Sequence, residues 1–498
     1  MSTDTKGDHF IGIDVGTSAV KAVLVDSAQE IVAEVEVPLV TSRPQPGWSE
    51  QHPDLWWQAV ERVLASFHGR QAALVARVGA IGLSGQMHGA VMLDSALTPL
   101  RPAILWNDSR SGAEAEALAR LFPDLARETG VMPMSGLTAP KLDWLAHHEP
   151  DLRAKLAMLM LPKDYVRLKL TGTCITDMSD AAGTWLLDEA RRAWSPAALA
   201  ALKIRESQLP RLVEGNAAAS IILPALAARF GLAEGVIVAG GAGDAAAGAV
   251  GIGAIKDGDA FLSLGTSGQL FVTTSAFRPA PDLMVHAFCH ALPGRWLQMG
   301  AMLSAASSLA FATDLFQCEV TVLLAEAEAA APAGPLLFLP YLTGERTPHN
   351  DPDARGVLFG LTPATSRGEV VRAIMEGVAF SFADARDCLA QSGTYITEAG
   401  VIGGGARSPL WLQILSDVLD LPLVRYDASA RGPAFGAARL ARLALTHEAP
   451  ETVCTAPKIS GRVTPHPREV EAYARRLPHF RGLYQALKSQ FPHLQHQD

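Results

Sequence analysis

The chain has no Cys-x-x-Cys pair: its five cysteines, at 174, 289, 318, 388 and 454, are widely scattered. Their odd number and spacing speak against a disulfide framework and fit free thiols in a reducing compartment. No stretch of about 18 uninterrupted apolar residues is present, so no membrane span is expected. The most apolar region, Val236 to Ile255, is broken by Asp244 and several glycines. The first ten residues are polar and lack an apolar signal core. Runs of Lys and Arg are also missing, and a formal net charge of −9 argues against a nucleic-acid partner. The expectation is a cytoplasmic protein that handles small molecules, not nucleic acid or membrane. Two nucleotide signatures are absent as well. There is no Walker pattern, and the glycine loop at 403–408 lacks the Gly-x-Gly-x-x-Gly order of a dinucleotide site.

What is present is a repeat. Ile11-Gly12-Ile13-Asp14-Val15-Gly16-Thr17-Ser18 is echoed by Phe261-Leu262-Ser263-Leu264-Gly265-Thr266-Ser267-Gly268. Each copy predicts an apolar strand, a Gly-Thr-Ser turn and a second apolar strand. Glycine allows the backbone to turn tightly and approach a ligand, and the hydroxyls add donors beside the amides. Such a turn can cradle a phosphate. Two of them suggest two halves facing one cleft. The copies differ in charge: Asp14 precedes the first turn and Leu264 the second, which hints at a metal-bound nucleotide.

At 498 residues, with 49% hydrophobic and 19% charged residues, the chain is expected to form two or more well-packed domains. Phe10–Val15, Lys21–Val25 and Ile31–Pro38 predict an antiparallel meander. A helix is expected from Asp54 to Phe67, with Leu55, Trp56, Ala59, Val63 and Leu64 on its apolar side. Val78–Leu83 and Ala103–Trp106 predict strands; Ser111–Leu121 and Pro140–His148 predict helices. Strands alternating with helices make the class α/β. Glycines between 251 and 258 place a domain boundary before the second hairpin, giving residues 1–252 and 253–498. Near the end, Ser408 and Pro409 predict an N-cap and first helical position, with Leu410, Trp411, Ile414, Leu415, Val418 and Leu419 on one face. A last glycine loop, Arg431 to Ala437, leads into another helix, and the tail after Pro465 predicts a surface helix that frays.

The single residues allow more than one reading. Asp14 could be a turn residue, or a carboxylate holding Mg²⁺, which keeps several waters and takes one or two carboxylates. Asp244 could be the N-cap of a helix starting at Ala245, or a base that takes a hydroxyl proton during phosphoryl transfer. Gly403 to Ser408 could be a tight helix entry, or a surface on which adenine or ribose rests. His88 could be a core histidine, although its Ser-Gly-Gln-Met-His-Gly loop has little bulk and suggests a cavity. His286 and His290 show no metal-ligand spacing, and Trp56, Trp57 and Trp144 suit core or rim positions.

Together these residues resemble the FGGY carbohydrate kinases. Two signature regions match, Gly136 to Trp144 and Gly356 through Glu369 to Glu376. Within the family, the stretches Ser84–Gly89, Leu105–Asp108, Leu161–Tyr165, Asp177–Thr184 and Pro340–Asn350 are most similar to the xylulose-phosphorylating branch. The resemblance implies two ribonuclease-H-like domains of the actin and hexokinase type, closing on a sugar. It implies ATP-dependent phosphorylation of D-xylulose at the 5-hydroxyl in pentose catabolism, with Mg²⁺ as cofactor and, by analogy, a homodimer. It further implies that Asp244 is the catalytic base and that Asp14 is the acidic residue near Mg-ATP. Met87 and His88 match the sugar loop. Thr17, Ser18, Gly265 and Thr266 fall in the phosphate turns, and Gly404, Gly405 and Ser408 match the adenosine loop.

One position departs from the pattern: Ala245 follows the base where the xylulose branch usually has Asn. A kinase for another ketopentose or polyol is therefore the second reading, since losing one polar contact weakens discrimination. An actin-like ATPase or chaperone module is the third, and it would have no use for the Met87-His88 loop.

Overall fold

The computed structural model describes residues 7–331, 336–427 and 432–494. Two seven-stranded sheets organise it. In the first, the apolar run His9–Val15 is the central strand, with almost every residue buried. Ala19–Val25 pairs antiparallel to it and Ile31–Pro38 follows, which bears out the meander. On the other flank Val78–Gly85 and then Ile237–Ala239 run parallel. Ile31–Pro38 forms the edge and turns Glu34 and Glu36 to solvent, charges that discourage edge-to-edge pairing.

The second sheet repeats this kernel. Ala260–Leu264 is central, Gly268–Thr274 and Trp296–Met302 follow antiparallel, and Ala399–Ile402 and Leu423–Tyr426 run parallel on the other side. The echo between the two hairpins is therefore a duplicated fold. Aligned on their turn glycines, the residue equivalent to Asp14 is Ser263 rather than Leu264. The fold is the mixed α/β, two-domain arrangement of the actin and hexokinase type.

The helix expected from Asp54 runs from Pro53 to Val75, with proline at its first turn and Trp56, Ala59, Val60, Val63, Leu64 and Phe67 buried. Leu55 is an exception: it lies beside that stripe and is exposed. Asp244 differs too. Gly243 is the N-cap and Asp244 the first residue of the helix Asp244–Ile252, because the backbone turns helical one residue earlier than expected. Of the strand expected over Ala103–Trp106 only Ala103–Ile104 forms, and Trp106 is exposed. Ser408 and Pro409 do cap and open the helix Pro409–Leu419 as predicted.

The helix Pro433–Thr446 comes from the far end of the chain, yet it lies on the first sheet. Its backbone touches that sheet directly: a Cβ at Gly12 or Gly82 would be driven into the carbonyls of Ala434 and Ala437. A Cβ at its own Gly436 would strike the carbonyl of Ala247 on the helix Asp244–Ile252. Arg439 seals the contact, donating to the carbonyls of Val250 and Gly251 at that helix's C-terminus, at 2.9 and 3.1 Å. The proposed division at 252/253 follows this Asp244 helix, and the Pro433 helix crosses back over it. Arg431, from the loop ahead, lies outside the described residues. The final helix, Pro467–Leu487, is not simply a surface element. It buries Tyr473, Phe480 and Tyr484, and Tyr473 and Arg476 both donate to Glu376. The residues after Leu494, where fraying is expected, lie outside the described residues. No single helix among those described is long and apolar enough to cross a membrane.

Gly436→Ala should therefore separate the crossing helix from the helix Asp244–Ile252. Overpacking of this kind costs about 3 kcal/mol or more where backbone must move. Urea unfolding should show that loss; stability equal to that of the parent would contradict the contact.

Candidate active site

A cleft of about 760 Å³ runs between the two sheets. At one end it is lined by Met87, His88, Trp106, Ser179, Asp244 and Arg346. At the other it is lined by Gly403, Ala406, Arg407, Tyr426, Gly432 and Pro433.

Asp14 stands at the end of the central strand, and Ser84 on the neighbouring strand donates to its carboxylate at 2.9 Å. Burial raises its pKa to about 6, against the opposing pull of Ser84 and Lys21. Asp244 begins the helix that follows the Gly240–Gly243 loop, and its carboxylate accepts the amide of Ala245 at 2.8 Å. Burial, and then the charge of Asp14, push its pKa up to about 7. The two carboxylates thus feel one another, although only Asp244 lines the cleft.

Three elements hold the Met87-His88 loop. His88 adopts a left-handed φ of 70°. Its Nδ1 lies 2.7 Å from the carbonyl of Gly183, which can only accept, so Nδ1 carries the proton. Burial lowers the pKa of His88 to about 3, so the ring is neutral and Nε2 keeps a lone pair. Lys141 donates to the His88 carbonyl at 2.9 Å and Thr138 donates at 3.1 Å, which gives the Gly136–Trp144 signature a concrete task. Met87 packs its thioether against Gly243, where a Cβ would collide with it. His286 and His290 are also held neutral by burial. Among the described residues no group of three or more His, Cys, Asp or Glu could hold a metal ion.

The phosphate-turn candidates are more committed than the sequence suggests. Thr17 donates its hydroxyl to Gln86 at 2.9 Å and accepts from the Trp106 indole at 3.0 Å. Gln51 in turn grips the Thr17 carbonyl at 2.7 Å. Ser18 is exposed, and its carbonyl accepts from Leu39. In the second turn the carbonyls of Gly265 and Thr266 are taken by the amides of Ala306 and Ala305, at 2.7 and 2.9 Å. Gly403, with φ 94°, presses against the Leu264 carbonyl, Gly405 lies over the Leu264 side chain, and Gly404 faces open space. Ser408 is occupied as a helix cap, accepting from the Trp411 amide at 3.3 Å. Sequence reasoning assigned no role to Trp106, Ser179 or Arg346, although all three fall within stretches that carried the family resemblance.

The family model for the FGGY carbohydrate kinases matches on both sides of the cleft, the N-terminal domain over residues 9–251 and the C-terminal domain over residues 260–445. The chain belongs to the FGGY family of carbohydrate kinases. It is 45% identical over 482 residues to the xylulose kinase of Escherichia coli strain K12, covering 96% of this chain and 99% of that one. To the xylulose kinase of Bacillus subtilis strain 168 it is 38% identical, with 87% of each covered. Among solved structures, a kinase from Brucella ovis described as a xyloylose kinase superposes with a TM-score of 0.95 at 44% identity, covering 97% of this chain and all of the other. A gluconate kinase from Lactobacillus acidophilus superposes at 0.92 with 26% identity, covering 98% and 99%.

The raised pKa of Asp244 has a sign that can be checked. A carboxyl with a folded pKa near 7 and an unfolded value near 3.8 binds its proton more tightly when folded. Its contribution to stability is full below about pH 4 and is lost as pH rises through about 7. Asp244→Asn should accordingly raise the melting temperature by a few degrees at pH 8. The gain should shrink towards pH 5, and a melting temperature lowered at pH 8 would contradict the assignment.

Proposed function

We propose that the chain transfers the γ-phosphoryl group of ATP to the 5-hydroxyl of D-xylulose, giving D-xylulose 5-phosphate and ADP. The observation that carries the reading is Asp244, open to the cleft beside the Met87-His88 loop, with its carboxyl held near neutrality by burial and by Asp14. Likeness to xylulose kinases over nearly the whole chain supplies the substrate.

Asp244 takes the hydroxyl proton as that oxygen bonds to phosphorus. A pKa near 7 suits a general base, because the group is substantially ionised at neutral pH yet still basic enough to accept. His88 accepts from a sugar hydroxyl at Nε2, and Met87 and Trp106 wall the pocket. Asp14 suits Mg²⁺: it offers hard carboxylate oxygens, its charge is uncomfortable beside Asp244, and too few other protein ligands are near to cage the ion. When bound with the nucleotide, Mg²⁺ supplies positive charge to the phosphoryl oxygens. With the Thr17 hydroxyl given to Gln86 and the Gly16 amide to the Ala19 carbonyl, the remaining amides of the Gly16–Ser18 and Gly265–Thr266 turns are the groups assigned to the phosphates. Gly403 to Ser408 form the adenosine side, with Gly404 leaving room for the ring. Filling the cleft with both substrates excludes water and limits wasteful ATP hydrolysis.

A second sugar remains as a reading because Ala245 lines the cleft next to the base and offers no polar atom to the substrate. The likeness to a solved structure described as a gluconate kinase supports keeping this second reading. A bare ATPase is disfavoured by the effort spent on His88, whose loop is held by Lys141, Thr138 and Gly183. Cytoplasmic placement is supported by the five free thiols; a homodimer rests on family likeness alone.

Asp244→Ala should lower kcat by about 10²–10⁴-fold, the usual worth of a general base. ATP binding, measured by calorimetry, should change little. Near-normal turnover would remove Asp244 from the mechanism. Steady-state rates across D-xylulose, L-xylulose, D- and L-ribulose and glycerol should give D-xylulose the highest kcat/KM; a higher value for another sugar would establish the second reading.

A further inference from the structure

Behind the cleft lies an ion cluster that the reaction as described leaves unused. Lys163, on the helix Pro162–Thr171, has no solvent exposure and meets three carboxylates. Its Nζ is 2.5 Å from Asp164, 2.7 Å from Asp177 and 3.1 Å from Asp180. Burial opposes the charge on Lys163, but these carboxylates outweigh it and raise its pKa above the usual lysine value. Lys163 therefore keeps its charge, while burial raises the pKa of Asp164 and, further, that of Asp180. Asp177 Oδ1 accepts the backbone amides of Ser179 and Asp180, at 2.9 and 3.2 Å, and so acts as an acceptor.

That fixed polarity propagates towards the site. The Ser179 hydroxyl donates to Asp177 Oδ1 at 2.5 Å, so its own lone pairs face the opposite way. There they accept the backbone N–H of Gly243 at 3.1 Å. Gly243 is the N-cap of the helix that begins with Asp244. The same Pro162–Thr171 helix also grips the start of this loop. Arg167 Nη2 donates to the carbonyls of Ala239 and Gly240, both at 2.6 Å. The glycine-rich segment before Asp244 has little stiffness of its own, and it is held at both ends from one buried helix.

We propose that Ser179 is a positioning residue for the base, its hydroxyl oriented by the Lys163–Asp177 pair so that it fixes the Gly243 amide and hence the entry of Asp244 into the cleft. This rests on Asp244 being the base. Rate is sensitive to displacements of about 1 Å at reacting groups, whereas global stability has many other contributors. Ser179 itself lines the cleft, so after truncation water can take the Gly243 amide and the fold can survive.

The test is Ser179→Ala in the full-length enzyme, assayed with D-xylulose and ATP. Three changes are expected: kcat falls by about 10–100-fold, KM for ATP stays within about twofold, and the acid limb of the kcat/KM profile moves to lower pH. The limb moves because a loosened Asp244 is better hydrated and farther from Asp14, and both relieve the causes that raise its pKa. Ser179→Thr, which keeps the hydroxyl, should restore most of the rate. A purely structural serine would lower the melting temperature and leave kcat and the acid limb in place, and that result overturns the proposal. If the alanine variant does not fold, Ser179→Cys decides, since a thiol is a poor acceptor. The proposal requires Cys to fall below both Ser and Thr in kcat, and equal rates overturn it. An Asp244→Ala enzyme that still turns over would fail the base assignment itself, whatever the serine variants show.

Discussion

Two carboxylates that interact with one another, Asp14 and Asp244, set the terms for the rest of the molecule. Each is raised by burial, and Asp244 is raised further by the negative charge of Asp14. A fold selected for stability alone would replace one of them. Keeping both costs stability at neutral pH, a cost that fits the proposed roles of base and metal carboxylate.

Such a pair must be held against its own repulsion, which explains the close backbone contacts around it. Asp14 ends a strand flanked on both sides, with Ser84 donating from the parallel neighbour. The Asp244 helix is packed by the crossing helix, closely enough that Gly436 can carry no side chain, and Arg439 caps its far end. The crossing helix begins at Gly432 and Pro433, which line the side of the cleft that the proposed function gives to the nucleotide. One rigid element therefore spans from that side to the strand bearing Asp14 and the helix bearing Asp244.

Much of this was legible from residues. The duplicated hairpins were readable because each strand is a short apolar run and each turn needs glycine, and both sheets carry the same strand kernel. Asp244 was visible as a carboxylate on a glycine loop, although its position one residue inside the helix was not. The crossing helix was not foreseen, since its partners lie hundreds of residues away. Gly12 and Gly82, glycines inside strands, were the signal that a backbone approaches closely. In sequence, a turn hydroxyl such as that of Thr17 has no visible partner and so suggests a phosphate donor. Its partners, Gln86 and Trp106, are 69 and 89 residues distant. Ser179 and Arg346 gained meaning only when the fold brought them to the cleft.

The central claim is that Asp244 acts as a base whose affinity for a proton is raised by its neighbour Asp14. The most direct measurement is the pH dependence of kcat/KM for D-xylulose in the parent enzyme and in Asp14→Asn. The account predicts an acid limb near pH 7 in the parent that shifts to lower pH when the Asp14 charge is removed. A limb in the ordinary carboxylate range, or one that does not move in Asp14→Asn, would contradict it.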